Sequence, residues 1–168
     1  NSIAMGYDVV SINNAVTFGN ASTDSRIAFG ATSISAPSDL RLKEDIQDEE
    51  VGLDFINDLR PVTFQWKKEK DIPSDMKAYK EGSEERTMNG KYNHGFIAQE
   101  VKAAIDADDS IKDGFRLWGE RDDGSQEVAE AALIPVLVKA IQEQSALITA
   151  QATAITDLTT RLTALENN

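Results

Sequence analysis

Between residues 129 and 166 one feature dominates: an apolar residue recurs every seven positions, at Ile134, Ile141, Ile148, Ile155 and Leu162. Three places later in each heptad stand Leu137, Gln144, Gln151, Leu158 and Leu165. This is an a/d heptad pattern, and it predicts one long helix. Pro135 must lie in the first turn, where a missing amide costs little. About 30 residues at 1.5 Å each make a rod of roughly 45 Å. An apolar stripe so narrow on a helix so long does not stabilise it alone, so partner helices are required. Gln144 and Gln151 put polar layers at d, which cost stability and specify register. The e and g positions are almost uncharged, so salt bridges do not choose the number of strands, and the heptads leave dimer and trimer equally open.

The rest of the chain falls into two textures. Residues 1–37 are poor in charge, with Asp8 and Asp24 against Arg26, and rich in Ser, Thr, Asn, Ala and Gly. Short apolar patches recur at Val9-Val10, Val16 and Phe18, Ile27 and Phe29, and Ile34, and Phe18-Gly19 returns as Phe29-Gly30. Asn20-Ala21-Ser22-Thr23-Asp24 between them is turn chemistry. The pattern predicts short strands, too few to bury a core alone, as at the end of a longer β-structure shared between chains.

Residues 38–128 are charged and mixed. Val51, Phe55, Ile56 and Leu59 have helical spacing, and Arg60-Pro61 ends that helix. Val62, Phe64 and Trp66 alternate with Thr63 and Gln65 as a half-buried strand. Residues 67–91, with Pro73, Gly82 and Gly90, read as a long hairpin tip or a loop. Phe96–Val101 passes from a strand into a helix, and Phe115, Leu117 and Trp118 predict a further strand before the Gly124 turn. The fold class is α+β: a β-rich end (1–37), a mixed domain (38–128) with a polar arm (67–91), and a coiled-coil helix (129–168).

Composition narrows the chemistry. The net charge is −12, which disfavours nucleic acid as a partner, because phosphate binding needs a basic face. No uninterrupted apolar run approaches the ~20 residues of a membrane span, so no membrane partner is expected. Without cysteine and with His94 as the one imidazole, neither a metal site nor a Ser/His/Asp triad is expected within one chain, and no cofactor. His94 is expected to hydrogen-bond beside a turn at Gly95. A hydroxyl nucleophile here needs a different base, and lysine is the alternative when it is desolvated. Where the texture changes, Ser38 and Lys43 stand five residues apart, with Leu40, Leu42 and Ile46 nearby. Five residues is neither one helical face nor one strand face, so the pair meets only across a bend or between chains. By spacing alone, Ser38-Asp39 serves equally as a cap, with Lys43 and Glu44 as solvated charges.

The run Ser38-Asp39-Leu40-Arg41-Leu42-Lys43-Glu44-Asp45-Ile46 resembles the opening of the C-terminal intramolecular chaperone domain of phage tail spikes and tail fibres. That endosialidase-type, self-processing family also includes domains of phage neck appendages and of the myelin regulatory factor of animals. Three further blocks are similar in order: Leu59–Trp66, Gly95–Val101 and Leu133–Glu143. The resemblance implies a homotrimer that guides the preceding fibre segment of its own chain into an intertwined fold and then cuts itself off. It implies Ser38 as nucleophile, Lys43 as general base, Asp39 in a supporting role and Pro37–Ser38 as the scissile bond. Pro37 is a departure, because its ring restricts the acyl group under attack. The implied setting is the host bacterial cytoplasm during assembly, with the mature fibre in the virion tail. A non-cleaving trimerisation tag and a receptor-binding fibre tip are the competing readings.

Overall fold

The computed structural model describes residues 1–10, 12–20, 23–111 and 115–167. The chain divides by packing into two units, Asn1–Asp48 and Glu49–Asn168.

The first unit is a three-stranded sheet in the order β1 (Ser2–Tyr7), β2 (Ala15–Asn20), β3 (Ser25–Ala28). β1 runs parallel to β2, and β3 returns antiparallel. The residues between β1 and β2 fall short of an ordinary crossover. Asp8 (φ 50°) and Asn14 (φ 59°) sit in the left-handed region at its two ends, where short polar side chains are tolerated. Gly6 pairs with Gly19, and a Cβ on Gly6 would collide with the Gly19 carbonyl oxygen. One expectation shifts here. Val9-Val10 lies outside any strand, whereas β1 begins earlier, at Ser2. Phe18 lies within β2 but Phe29 lies beyond the end of β3, so the two Phe-Gly pairs are not structural repeats. The turn after β2 closes with the Thr23 amide donating to the Asn20 carbonyl at 2.8 Å, while Ala21 and Ser22 lie outside the described residues. Among the described residues of this unit Ala15 and Thr17 alone are buried, and Ile3, Met5 and Tyr7 are exposed.

The second unit has a conventional core of Val51, Phe55, Val101, Ala104, Leu117, Leu133 and Val136. Helix α1 (Leu53–Asp58) buries Phe55, whose ring meets Phe115 edge-on at 5.8 Å. Strand β4 (Val62–Phe64) pairs antiparallel with β5 (Asn93–Gly95), placing Thr63 opposite His94. Helix α2 (Ala98–Ala107) buries Val101 and Ala104. β6 (Trp118–Glu120) and β7 (Gln126–Val128) form a hairpin around Gly124. The chain then enters α3 (Leu133–Glu166), which spans about 50 Å at 1.5 Å per residue. The arm at 67–91 doubles back on itself: Lys68 bridges to Arg86, and Thr87 donates to the Lys67 carbonyl at 3.1 Å. Glu84 receives both Lys68 and Lys70, whose ammonium groups hold its carboxyl down at about 2.

Candidate functional site: the Ser38–Lys43 turn and the unpartnered helix

The five-residue spacing demands a bend, and residues 38–43 contain one. Leu40–Leu42 forms a single 3-10 turn. Asp39 caps it: its Oδ1 accepts the Arg41 amide at 2.9 Å, and the Lys43 amide donates back to the Leu40 carbonyl at 3.2 Å. Asp39 also holds the Arg41 guanidinium through two bonds, Nε to Oδ1 at 2.9 Å and a terminal nitrogen to Oδ2 at 2.7 Å. The Arg41 side chain, and then its amide, hold the Asp39 carboxyl below the usual carboxylate range. The consequence is a contact: Lys43 Nζ donates to Ser38 Oγ at 2.8 Å. Arg41 was not singled out from the sequence. The signal available was an acid and a base two residues apart around a turn, which is common enough to pass unnoticed.

The cap and the dyad geometry coexist, since Asp39 supplies the one and Ser38 the other. Every residue from Pro37 to Glu50 is exposed. Leu40, Leu42 and Ile46 are 72%, 68% and 60% exposed, so no apolar shell surrounds the lysine in a single chain. His94 is also exposed and makes no side-chain hydrogen bond among the described residues, and Gly95 lies within β5 rather than at a turn. Among the described residues no group of three or more His, Cys, Asp or Glu side chains could hold a metal ion.

The long helix is anchored at its base. Leu133, Val136 and Ala140 are buried, and they occupy heptad positions g and c. Glu143, on the same face, accepts the Leu53 amide at 2.8 Å and so caps the start of α1. Gly52 lies beside it, and a Cβ there would displace the Glu143 carboxylate. The a/d stripe is rotated away from this face and is exposed along its length. Ile141, Ile148 and Ile155 are 64%, 59% and 64% exposed, and Ile134, Leu137, Leu158, Leu162 and Leu165 are exposed as well. Gln144 and Gln151 continue the stripe, also exposed. By length and composition alone this is a helix that could cross a membrane. Its apolar residues are nonetheless interrupted by Lys139, Glu143 and the two glutamines, so the pattern is a seam rather than an apolar cylinder.

The sequence blocks singled out above also meet structurally. Arg60, from Leu59–Trp66, forms a two-bond ion pair with Glu100, from Gly95–Val101. This pairing ties the exit of α1 to the first turn of α2.

No curated protein and no solved structure matched the chain. The family described as chaperone of endosialidase, named Peptidase_S74, matches residues 38–109. The match begins at Ser38 and takes in three of the four blocks, with Leu133–Glu143 beyond its end. Over residues 38–109 the chain is thus similar to the chaperone-of-endosialidase family, the family that the run opening at Ser38 resembles.

Proposed function

We propose that this chain trimerises through α3, guides the β-structured segment before it into a shared fold, and then releases itself by cutting Pro37–Ser38. The observation that carries this reading is the 2.8 Å contact between Lys43 Nζ and Ser38 Oγ at the first residue of the family match. The exposed a/d stripe supports assembly, and the family supports three strands where the heptads leave the number open. The thin core of the first unit supports a client that completes itself only with other chains. Assembly would take place in the host bacterial cytoplasm, leaving the mature fibre in the virion tail.

In the chemistry, neutral Lys43 takes the Ser38 hydroxyl proton as Oγ attacks the Pro37 carbonyl carbon. The carbon–nitrogen bond breaks, and the Ser38 nitrogen leaves with that proton. Water then hydrolyses the ester, yielding a Pro37 carboxylate and restoring the hydroxyl. In the single chain the ammonium donates to Oγ, which is the reverse of the base's task. A lysine gives up its proton readily only when desolvated. Burying Leu40, Leu42 and Ile46 in the assembly would desolvate Lys43, so cleavage waits for correct association. Threading three chains has a high entropic cost, which a pre-formed coil lowers by raising local concentration. Removing the coil afterwards closes the route back and traps the fibre kinetically.

Mass spectrometry of expressed protein tests this. The expected result is a fragment beginning at Ser38, absent in Ser38→Ala and reduced at least about 100-fold in rate in Lys43→Ala. An intact chain with the native serine would point instead to a trimerisation tag that never cuts.

A further inference from the structure

The acyl side of the proposed cut is held by the sheet. Arg26 in β3 and Ser35 exchange both backbone hydrogen bonds, each 2.8 Å, as a closely paired antiparallel couple. Extending that register places Pro37 opposite Asp24. The pairing stops there for a covalent reason: Pro37 has no amide hydrogen to donate to the next rung. Residues opposite each other, and those two positions along, share one face of such a ribbon. Arg26, Ser35, Asp24 and Pro37 therefore lie on one side, and with Ala36 they line a pocket of about 230 Å³. Among the described residues neither the Arg26 guanidinium nor the Asp24 carboxylate has an ion pair or a side-chain hydrogen bond. A cation with five donors and no assigned partner thus lines the pocket that also contains the residue at the cut.

We infer that this pocket is a binding site for the carboxylate that cleavage creates on Pro37, with Arg26 as its ligand. The inference rests on the self-cleavage reading. Hydrolysis consumes one water, turns the neutral Pro37 carbonyl into a carboxylate and frees the Ser38 nitrogen as an amine. A second negative charge, beside that of Asp24, appears at the pocket wall. Arg26 can take it through a planar two-bond contact while facing Asp24 with its remaining donors. Asp24, across from Pro37, opposes the new charge, so capture depends on Arg26 outweighing it. Captured this way, the new terminus stays docked on β3 instead of fraying, and its carbonyl carbon is withdrawn from renewed attack.

Hydrogen exchange over residues 24–37 tests the site in the full chain. Four samples are compared: the self-cut protein, the uncut Ser38→Ala chain, and the cut forms of Arg26→Gln and Arg26→Lys. The Ser35 and Arg26 amides are expected to exchange about two- to fivefold more slowly in the cut protein than in the uncut chain, the range of an exposed ion pair. The gain is expected to vanish in Arg26→Gln, to survive in part in Arg26→Lys, and to collapse in about 1 M salt. Equal or faster exchange after cutting overturns the site, as does a gain that ignores salt or persists in Arg26→Gln. A chain that yields no fragment beginning at Ser38 overturns both this site and the cleavage reading. A fragment without the gain overturns this site alone. Because the salt series uses the unmodified protein, it decides the matter even if Arg26→Gln does not fold.

Discussion

The Ser38–Lys43 turn and the α3 helix are built on opposite scales. The turn is complete within six residues, closed by an Asp39 cap and an Asp39–Arg41 ion pair, and is exposed throughout. The helix is legible over five heptads, and its seam residues are exposed. One region has its geometry but lacks an environment. The other has a pattern but lacks a partner. Under the proposed function, association with further copies would remedy both deficits, and a cutting step would be conditional on assembly without a dedicated switch.

Breaking the seam should have the largest effect. Ile141→Asp with Ile148→Asp places charges in two central layers, and the protein is expected to sediment as a monomer and to lose cleavage. A monomer that still yields the Ser38 fragment would separate the two regions and end the argument for conditional cutting. Next comes the base of the helix. Phe55→Ala removes a fully buried ring from the core that holds α1 against α3, and a loss of about 3–5 kcal/mol is expected in denaturant unfolding. An unchanged unfolding midpoint would show that this core does not anchor the helix. The smallest effect concerns the turn itself. Asp39→Ala removes the cap, and cleavage is expected to slow about tenfold, by analogy with lost positioning contacts. The Asp39 carboxyl is held below its ordinary value in the folded turn, so its contribution is fully present above about pH 4 and fades as pH falls through the lowered value. The chemical shift of the Arg41 amide in a pH titration would follow it, and a midpoint at or above the ordinary carboxylate value would sink this account.

Much of the second unit was readable because its signals are local or periodic. The α1 helix, the β4 alternation, the passage into α2 and the Gly124 hairpin all follow from side-chain spacing and turn residues. The first unit was less readable. Val9-Val10 carries a strand-like composition but lies in the return between β1 and β2, where backbone conformations at Asp8 and Asn14 take precedence over propensity. The arm at 67–91 could be either hairpin or loop from composition, and the cross-strand ties from Lys68 to Arg86 and Glu84 favour the hairpin.

By itself the sequence determined one long helix with a seven-residue apolar period, and from that narrow stripe the expectation of partner helices. It also determined that Ser38 and Lys43 need a bend to meet. Tertiary structure decided which face of α3 the domain occupies. Leu133, Val136 and Ala140 turn inward and leave the heptad seam free, a choice that depends on α1 and Phe55 far back in the chain. It also decided that Ser35 docks on Arg26, leaving Pro37 just beyond that pair. Periodicity is written in neighbouring residues, whereas the choice between two apolar faces depends on what arrives from elsewhere to cover them.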